Sequence, residues 1–136
     1  MDGAHIVSCS AEHLLIVWEM RTGKKIHSLL IASSPNDMAI SPDGHFAYLS
    51  LYTTDQHQPV KIVQVMDLTS SKEKYAINSS LAGEEADAVA VSNDGRWLFV
   101  AREGPRAGLI IYNAQTGRHI GMMPCRKNGA SLICRR

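Results

Sequence analysis

The segment Ser41-Pro42-Asp43-Gly44-His45-Phe46-Ala47-Tyr48-Leu49 decides the fold of this chain. Proline presets φ at the second position of a tight turn, and glycine accepts the positive φ needed to leave it. Phe46 to Leu51 then alternates bulky and small side chains, and Asp37 to Ile40 ahead of the turn is a short apolar strand. The unit reads strand, tight turn, strand. It recurs: Asp2-Gly3 precedes His5-Ile6-Val7-Ser8, and Asp94-Gly95 precedes Trp97-Leu98-Phe99-Val100. Asp2, Asp43 and Asp94 lie 41 and 51 residues apart, an interval that marks a repeat architecture.

Outward from that turn the middle copy is complete. A polar loop, Thr53 to Pro59, leads to a third strand, Val60 to Leu68, rich in β-branched residues. Thr69-Ser70-Ser71 is a further turn, and Tyr75-Ala76-Ile77 lies in a weaker fourth strand. The last copy keeps the order, with strands at Asp87 to Val91, Trp97 to Ala101, Leu109 to Tyr112 and Arg118 to Met123, and a turn at Thr116-Gly117. No segment sustains apolar residues at i, i+3, i+4 and i+7, so no helix is predicted. Short strands at even spacing predict an all-β protein. Four antiparallel strands per repeat describe one blade of a β-propeller, here an incomplete one. Residues 1–31 read as a partial blade lacking its first strand, 32–80 and 81–124 as complete blades, and 125–136 as a basic tail or the start of a further blade.

The stretch Ser8-Cys9-Ser10-Ala11-Glu12-His13-Leu14-Leu15-Ile16-Val17-Trp18-Glu19-Met20-Arg21-Thr22-Gly23 resembles the most recognisable segment of WD-repeat propellers. Trp18-Glu19 stands at the Trp-Asp pair, and Met66-Asp67 and Tyr112-Asn113 align with it. The resemblance implies a hydrogen-bond network in which Trp18 and Ser8 take part, with Glu12 near the usual aspartate. It also implies departures. Ala32-Ser33 and Gly83-Glu84 stand where the family often has Gly-His, so the network is incomplete in the later blades. Ile40 to Leu49 is similar, in addition, to the repeat of lactonase-like, YVTN-type propellers, some of which are enzymes.

Composition limits what such blades do. Hydrophobic content of 45% and charged content of 20% describe a globular chain rather than a disordered one. A net charge of +1 gives no general pull toward nucleic acid or an acidic membrane, and neither is expected as a partner. Arg106, Arg118, Arg126, Lys127, Arg135 and Arg136 lie beyond the last acid, Glu103, and are read as a solvated terminus. Three cysteines, an odd count, with no signal-peptide pattern, lead to the expectation of free thiols and a cytoplasmic setting. Known propellers close with about four to eight blades. Two and a half blades leave apolar flanks uncovered, at roughly 1.5–3 kcal/mol for each exposed core side chain. The expectation is a fragment or short isoform of a larger propeller protein, or closure by self-association.

Signals for chemistry are sparse. The sequence holds no phosphate-cradling G-x-x-x-x-G-K-[ST], no H-E-x-x-H and no C-x-x-C. Four of the six histidines fall in or beside turns or at strand starts, and no metal set is read from them. Ser71-Lys72-Glu73-Lys74 fits S-x-x-K, but it lies in a polar turn without the pocket such a nucleophile needs. Glu84, Glu85 and Asp87 form an acidic cluster, read as a solvated loop between blades. No catalytic residue, cofactor or metal is assigned. The resemblance implies an interaction scaffold whose partners, other proteins, dock on loops between blades and between second and third strands. Those loops are residues 31–36, 53–59, 81–86 and 102–108, and the candidate contacts are Tyr52, Gln56, His57, Glu84, Glu85, Arg102, Glu103 and Arg106. Tyr52 and Arg102 are the best single anchors, because Tyr and Arg are enriched in binding hot spots. The alternative is part of a lactonase- or dehydrogenase-like propeller enzyme, for which the first strands supply only Asp37 and Asp87.

Overall fold

A computed structural model of the chain describes residues 3–52, 60–79, 85–103 and 107–124. These form strands without a helix, in three antiparallel sheets. The first holds β1 (His5–Ser10), β2 (Leu14–Glu19) and β3 (Lys25–Leu30) in sequence order. The second holds β4 (Pro35–Ile40), β5 (Phe46–Leu51), β6 (Val60–Asp67) and β7 (Lys72–Ser79). The third holds β8 (Glu85–Val91), β9 (Trp97–Glu103), β10 (Gly108–Asn113) and β11 (His119–Pro124).

The tight turns form for a reason the sequence carries. At the β4–β5 turn the Ser41 hydroxyl donates to Asp43 Oδ1 at 2.5 Å and accepts the Phe46 N–H at 3.0 Å, while the same Asp43 oxygen accepts the His45 N–H at 3.0 Å. Gly44 leaves the turn at φ 77°. The β8–β9 turn repeats this group by group, with Ser92 to Asp94 at 2.6 Å, Trp97 to Ser92 and Arg96 to Asp94 both at 3.0 Å, and Gly95 at φ 74°. A serine two residues before the aspartate therefore locks each of these two Asp-Gly turns with three bonds. These bonds stabilise the ionised carboxylates: the serine hydroxyl first, then the backbone N–H, hold Asp43 and Asp94 below their usual range.

The second kind of turn explains the aligned pairs Trp18-Glu19, Met66-Asp67 and Tyr112-Asn113. The large apolar residue packs, and the polar residue after it caps the turn. Asp67 Oδ1 accepts the N–H groups of Thr69 and Ser70 at 2.8 and 3.1 Å, and Asn113 Oδ1 accepts those of Gln115 and Thr116 at 2.9 and 3.1 Å. Glu19 is a methylene longer and takes the Thr22 hydroxyl instead. Each turn ends in the left-handed region, at Gly23 (φ 71°), Ser71 (φ 60°) and Gly117 (φ 76°). Ser71 is thus the one of the three that adopts this conformation with a side chain.

Packing divides the molecule into two cores separated by the second sheet. Leu15, Val17, Leu29 and Ile31 meet Ala47, Leu49, Leu51, Met66 and Leu68 on one side of it. On the other side Tyr48, Ile62, Val65 and Ile77 meet Val89, Leu98, Val100 and Ile110. Alternation in β5 sends odd-numbered Ala47, Leu49 and Leu51 to one core and Tyr48 to the other. The outer sheets carry the exposed apolar residues: Ile26 (43%) and Leu30 (76%) on β3, Ile120 (50%) and Met123 (53%) on β11.

The strands run further than the apolar runs suggested. β4 begins at Pro35 and β8 at Glu85, while β9 continues through Glu103, so part of each expected loop is extended chain. Bulges between Pro35 and Asp37 and between Ala86 and Ala88 let pairing pass beyond the last apolar residue. The expected Trp18 contact also forms: its Nε1–H donates to Ser8 Oγ at 2.9 Å, while Glu12 is exposed in the intervening turn.

Candidate partner-binding surface

Antiparallel pairing gives the stacked sheets two ends. The Asp-Gly turns and the capped turns lie at one, the turn end. The connections between sheets and those leading into β6 and β10 leave from the other, the loop end. Tyr52, Glu85, Arg102 and Glu103 are at the loop end. Gln56, His57, Glu84 and Arg106 lie outside the described residues.

Tyr52 follows β5, whose last residues Ser50 and Leu51 are fully buried. Its backbone is held twice: its N–H donates to Ser34 O at 2.8 Å, and its carbonyl accepts the Ser33 hydroxyl at 2.7 Å. The side chain remains 49% exposed. An aromatic ring on a fixed backbone loses little freedom when a partner covers it.

The third sheet supplies charge. Glu85 on β8 and Glu103 on β9 are directly opposite in register. Like charges across an antiparallel pair repel. Asp87, two residues along β8, joins them, and its carboxyl is pushed up to about 6, by burial first and then by the hydrogen bond and charge of Glu103 and the charge of Glu85. Arg102 is half-buried, and its Nη2 donates to Tyr112 Oη at 2.8 Å, so the guanidinium is oriented by the sheet beneath it.

Asp37, the other acid on a first strand, has a different task. Its Oδ2 accepts the Val89 N–H at 3.1 Å and its Oδ1 the Met38 N–H at 2.8 Å, joining β4 to β8. Two neighbours act with it: Asn36 Nδ2 donates to Ala86 O at 3.0 Å and the Ser50 hydroxyl to Asp87 O at 3.3 Å. No such role follows from the sequence alone for Asn36, Asp37 and Ser50. Their signal was polarity within otherwise apolar strands, which identifies a residue that needs a partner without naming the partner.

Sheets of this topology, stacked face to face with one shared order of strands and turns, are built like blades of a β-propeller, the fold that the sequence resemblance implies. Among solved structures the chain is similar to the WD40 repeats of RRP9 (TM-score 0.73, 17% identity, 93% of this chain and 37% of that one). It is similar to U3-55K (TM-score 0.73, 16% identity, 93% and 37%) and to hydrazine synthase of Kuenenia stuttgartiensis (TM-score 0.74, 22% identity, 93% and 35%). A curated relative, the small ribosomal subunit protein RACK1 of Candida albicans, is 26% identical over 98 residues. That match takes in 72% of this chain and 30% of the relative, so the chain spans under a third of that protein's length. No family model matches.

Proposed function

We propose that the chain is a non-catalytic, propeller-type scaffold segment that binds other proteins at its loop end. The observation that carries this reading is Tyr52, an exposed ring on a backbone fixed by two hydrogen bonds at the end of a buried strand. Arg102, Glu85 and Glu103 frame that end with mixed charge, which governs partner choice and encounter rate. The flanking loops extend the contact through Gln56, His57, Glu84 and Arg106. In this reading the segment is part of a larger propeller or pairs with a second copy, since apolar residues stand exposed on both outer sheets. Its setting is the cytoplasm. Among the described residues no helix is long and apolar enough to cross a membrane.

Photo-crosslinking tests the surface. A crosslinking amino acid at position 52 should capture a discrete set of proteins, and Arg102→Ala with Glu103→Ala should remove most of them. An unchanged set after both substitutions sinks the reading. Light scattering tests the pairing: a concentration-independent monomer that unfolds cooperatively removes the need for a second copy.

The runner-up, a part of a propeller enzyme, draws on Asp87. A carboxyl titrating near 6 beside two further acids is suited to proton transfer. Stoichiometric calcium in the purified chain would favour it.

A further inference from the structure

At the turn end, opposite the loops, a cleft of about 310 Å³ opens between the first and second sheets. Its floor is aliphatic, from Val17 on β2, Ile26 on β3 and Leu68 beyond β6. Stacking of the two sheets brings His27 and His45 to its sides. The carboxylate of Asp43, in the β4–β5 turn, is the one formal charge among the lining side chains. The volume falls at the lower end of the roughly 300–1,000 Å³ typical of ligand sites, which suits one long side chain.

Asp43 gives its two oxygens separate tasks. Oδ1 closes the turn, accepting the Ser41 hydroxyl at 2.5 Å and the His45 N–H at 3.0 Å. Oδ2 lies 3.6 Å from His45 Nδ1, beyond hydrogen-bond length, and the Asp43 side chain is 57% exposed. The bonds to Oδ1, from the Ser41 hydroxyl first, keep the group ionised. Asp67, next to Leu68, is held ionised in the same way, above all by the Ser70 N–H. The second sheet therefore brings negative charge to its side of the cleft. On the first sheet, exposed Lys25 is paired with Trp18, which alternation sets on the face opposite Val17. The complement of an aliphatic floor with a carboxylate beside it is a cation on an aliphatic stem. One available oxygen suits the point charge of an ammonium better than the fork of a guanidinium, which takes both oxygens of a carboxylate.

We propose that this cleft takes a lysine side chain of a partner protein, its four-carbon stem on Val17, Ile26 and Leu68 and its ammonium at Asp43 Oδ2. The His45 ring is itself exposed and yields its place beside Oδ2 without disturbing either core. The proposal rests on the reading of the chain as a protein-binding module and adds a second surface, at the end remote from Tyr52. The third sheet supplies an internal control. Asp94 accepts the Ser92 hydroxyl and the Arg96 N–H as Asp43 accepts those of Ser41 and His45, but Asp94 does not line the cleft.

The test is a titration of the isotope-labelled full chain with a capped pentapeptide, four alanines around a central lysine, followed by proton–nitrogen correlation spectra. The amide signals of Ile26, His45 and Thr69 should shift saturably. Acetylating the lysine keeps the stem and removes the charge, and should weaken binding about three- to fivefold. Asp43→Asn should do the same, since asparagine keeps the Oδ1 acceptor of the turn and loses the charge. Asp94→Asn should leave the affinity unchanged. Ile26→Lys, which sets a like charge at an exposed position and should weaken binding at least about threefold, replaces Asp43→Asn if that variant loses its β-sheet circular dichroism. Equal binding of the acetylated peptide, an unaltered affinity in Asp43→Asn, an equal loss in Asp94→Asn, or no saturable shift up to about 10 mM peptide overturns the proposal. Tyr52→Ala separates the two surfaces: it should leave peptide affinity unchanged, and loss of the shifts there assigns the lysine to the loop end and removes it from the cleft. Failure of crosslinking from position 52 with lysine binding intact removes the loop-end reading and leaves the cleft.

Discussion

Gly117→Ala should destabilise the chain far more than Gly23→Ala, although both glycines end the same kind of turn. Their φ angles are 76° and 71°, so the left-handed strain on an added Cβ is nearly equal, about 1–2 kcal/mol, partly offset by a stiffer unfolded chain. The surroundings differ. Nothing lies within 4 Å of a Cβ built at Gly23, whereas at Gly117 it meets two Tyr75 ring carbons at 2.7 Å and a third at 3.3 Å. That ring is pinned, because its hydroxyl donates to Ala114 O at 2.8 Å and its face packs on the core between the second and third sheets. Forcing atoms into a packed site costs about 1–3 kcal/mol, and a ring that moves aside forfeits a hydrogen bond of about 0.5–1.5 kcal/mol. The expected losses are about 1 kcal/mol for Gly23→Ala and about 3 to 4 kcal/mol for Gly117→Ala. Urea unfolding followed by tryptophan fluorescence measures both, by linear extrapolation at fixed pH. In a Tyr75→Ala background the Gly117 penalty should shrink to the Gly23 level. Equal losses at the two glycines in the natural background would falsify the tight contact between the β10–β11 turn and β7.

Three further outcomes follow from the same geometry. Asp37→Ala strands the Val89 N–H and should cost about 1–3 kcal/mol in urea unfolding, with Asp37→Asn recovering part of it through its remaining oxygen. Trp18→Phe removes the donor to Ser8 and should cost about 1 kcal/mol, and Ser8→Ala should then add little, a non-additivity read from a double-mutant cycle. Asp87 titrates near 6 in the folded chain, above the value of a free carboxylate, so the folded state holds the extra proton between about pH 4 and 6. Its contribution to stability is present below that window and is lost as pH rises through it. Asp87→Asn should flatten the slope and stabilise the chain at pH 7, by about 1 kcal/mol once solvent screening of a half-buried group is allowed for.

The turns made the fold legible. Ser41-Pro42-Asp43-Gly44 and Ser92-Asn93-Asp94-Gly95 are closed by bonds among the residues of the motif and its immediate followers, so local sequence suffices to place them. The near-continuous apolar runs of β5 and β10 likewise suit strands buried on both faces. Strand ends were less legible. Asn36, Glu85 and Glu103 are polar, and their pairing depends on bulges and on partners in another sheet, which a run of apolar residues does not report. The surface divides the same way. Tyr52, Glu85, Arg102 and Glu103 could be placed at one end by counting strands. A cleft at the turn end, bordered by His5, His27 and His45, could not, since these are 22 and 18 residues apart and meet only through the stacking of two sheets.

The double-sided burial of the second sheet implies a gradient of persistence through the molecule. Amides of β5 and β6 should exchange with deuterated solvent last, because exposing them requires parting both neighbours, whereas β3 and β11 can fray singly at the periphery. The loop end draws on this slow-opening slab, through Tyr52 after β5. That surface therefore rests on the part of the chain that breathes least.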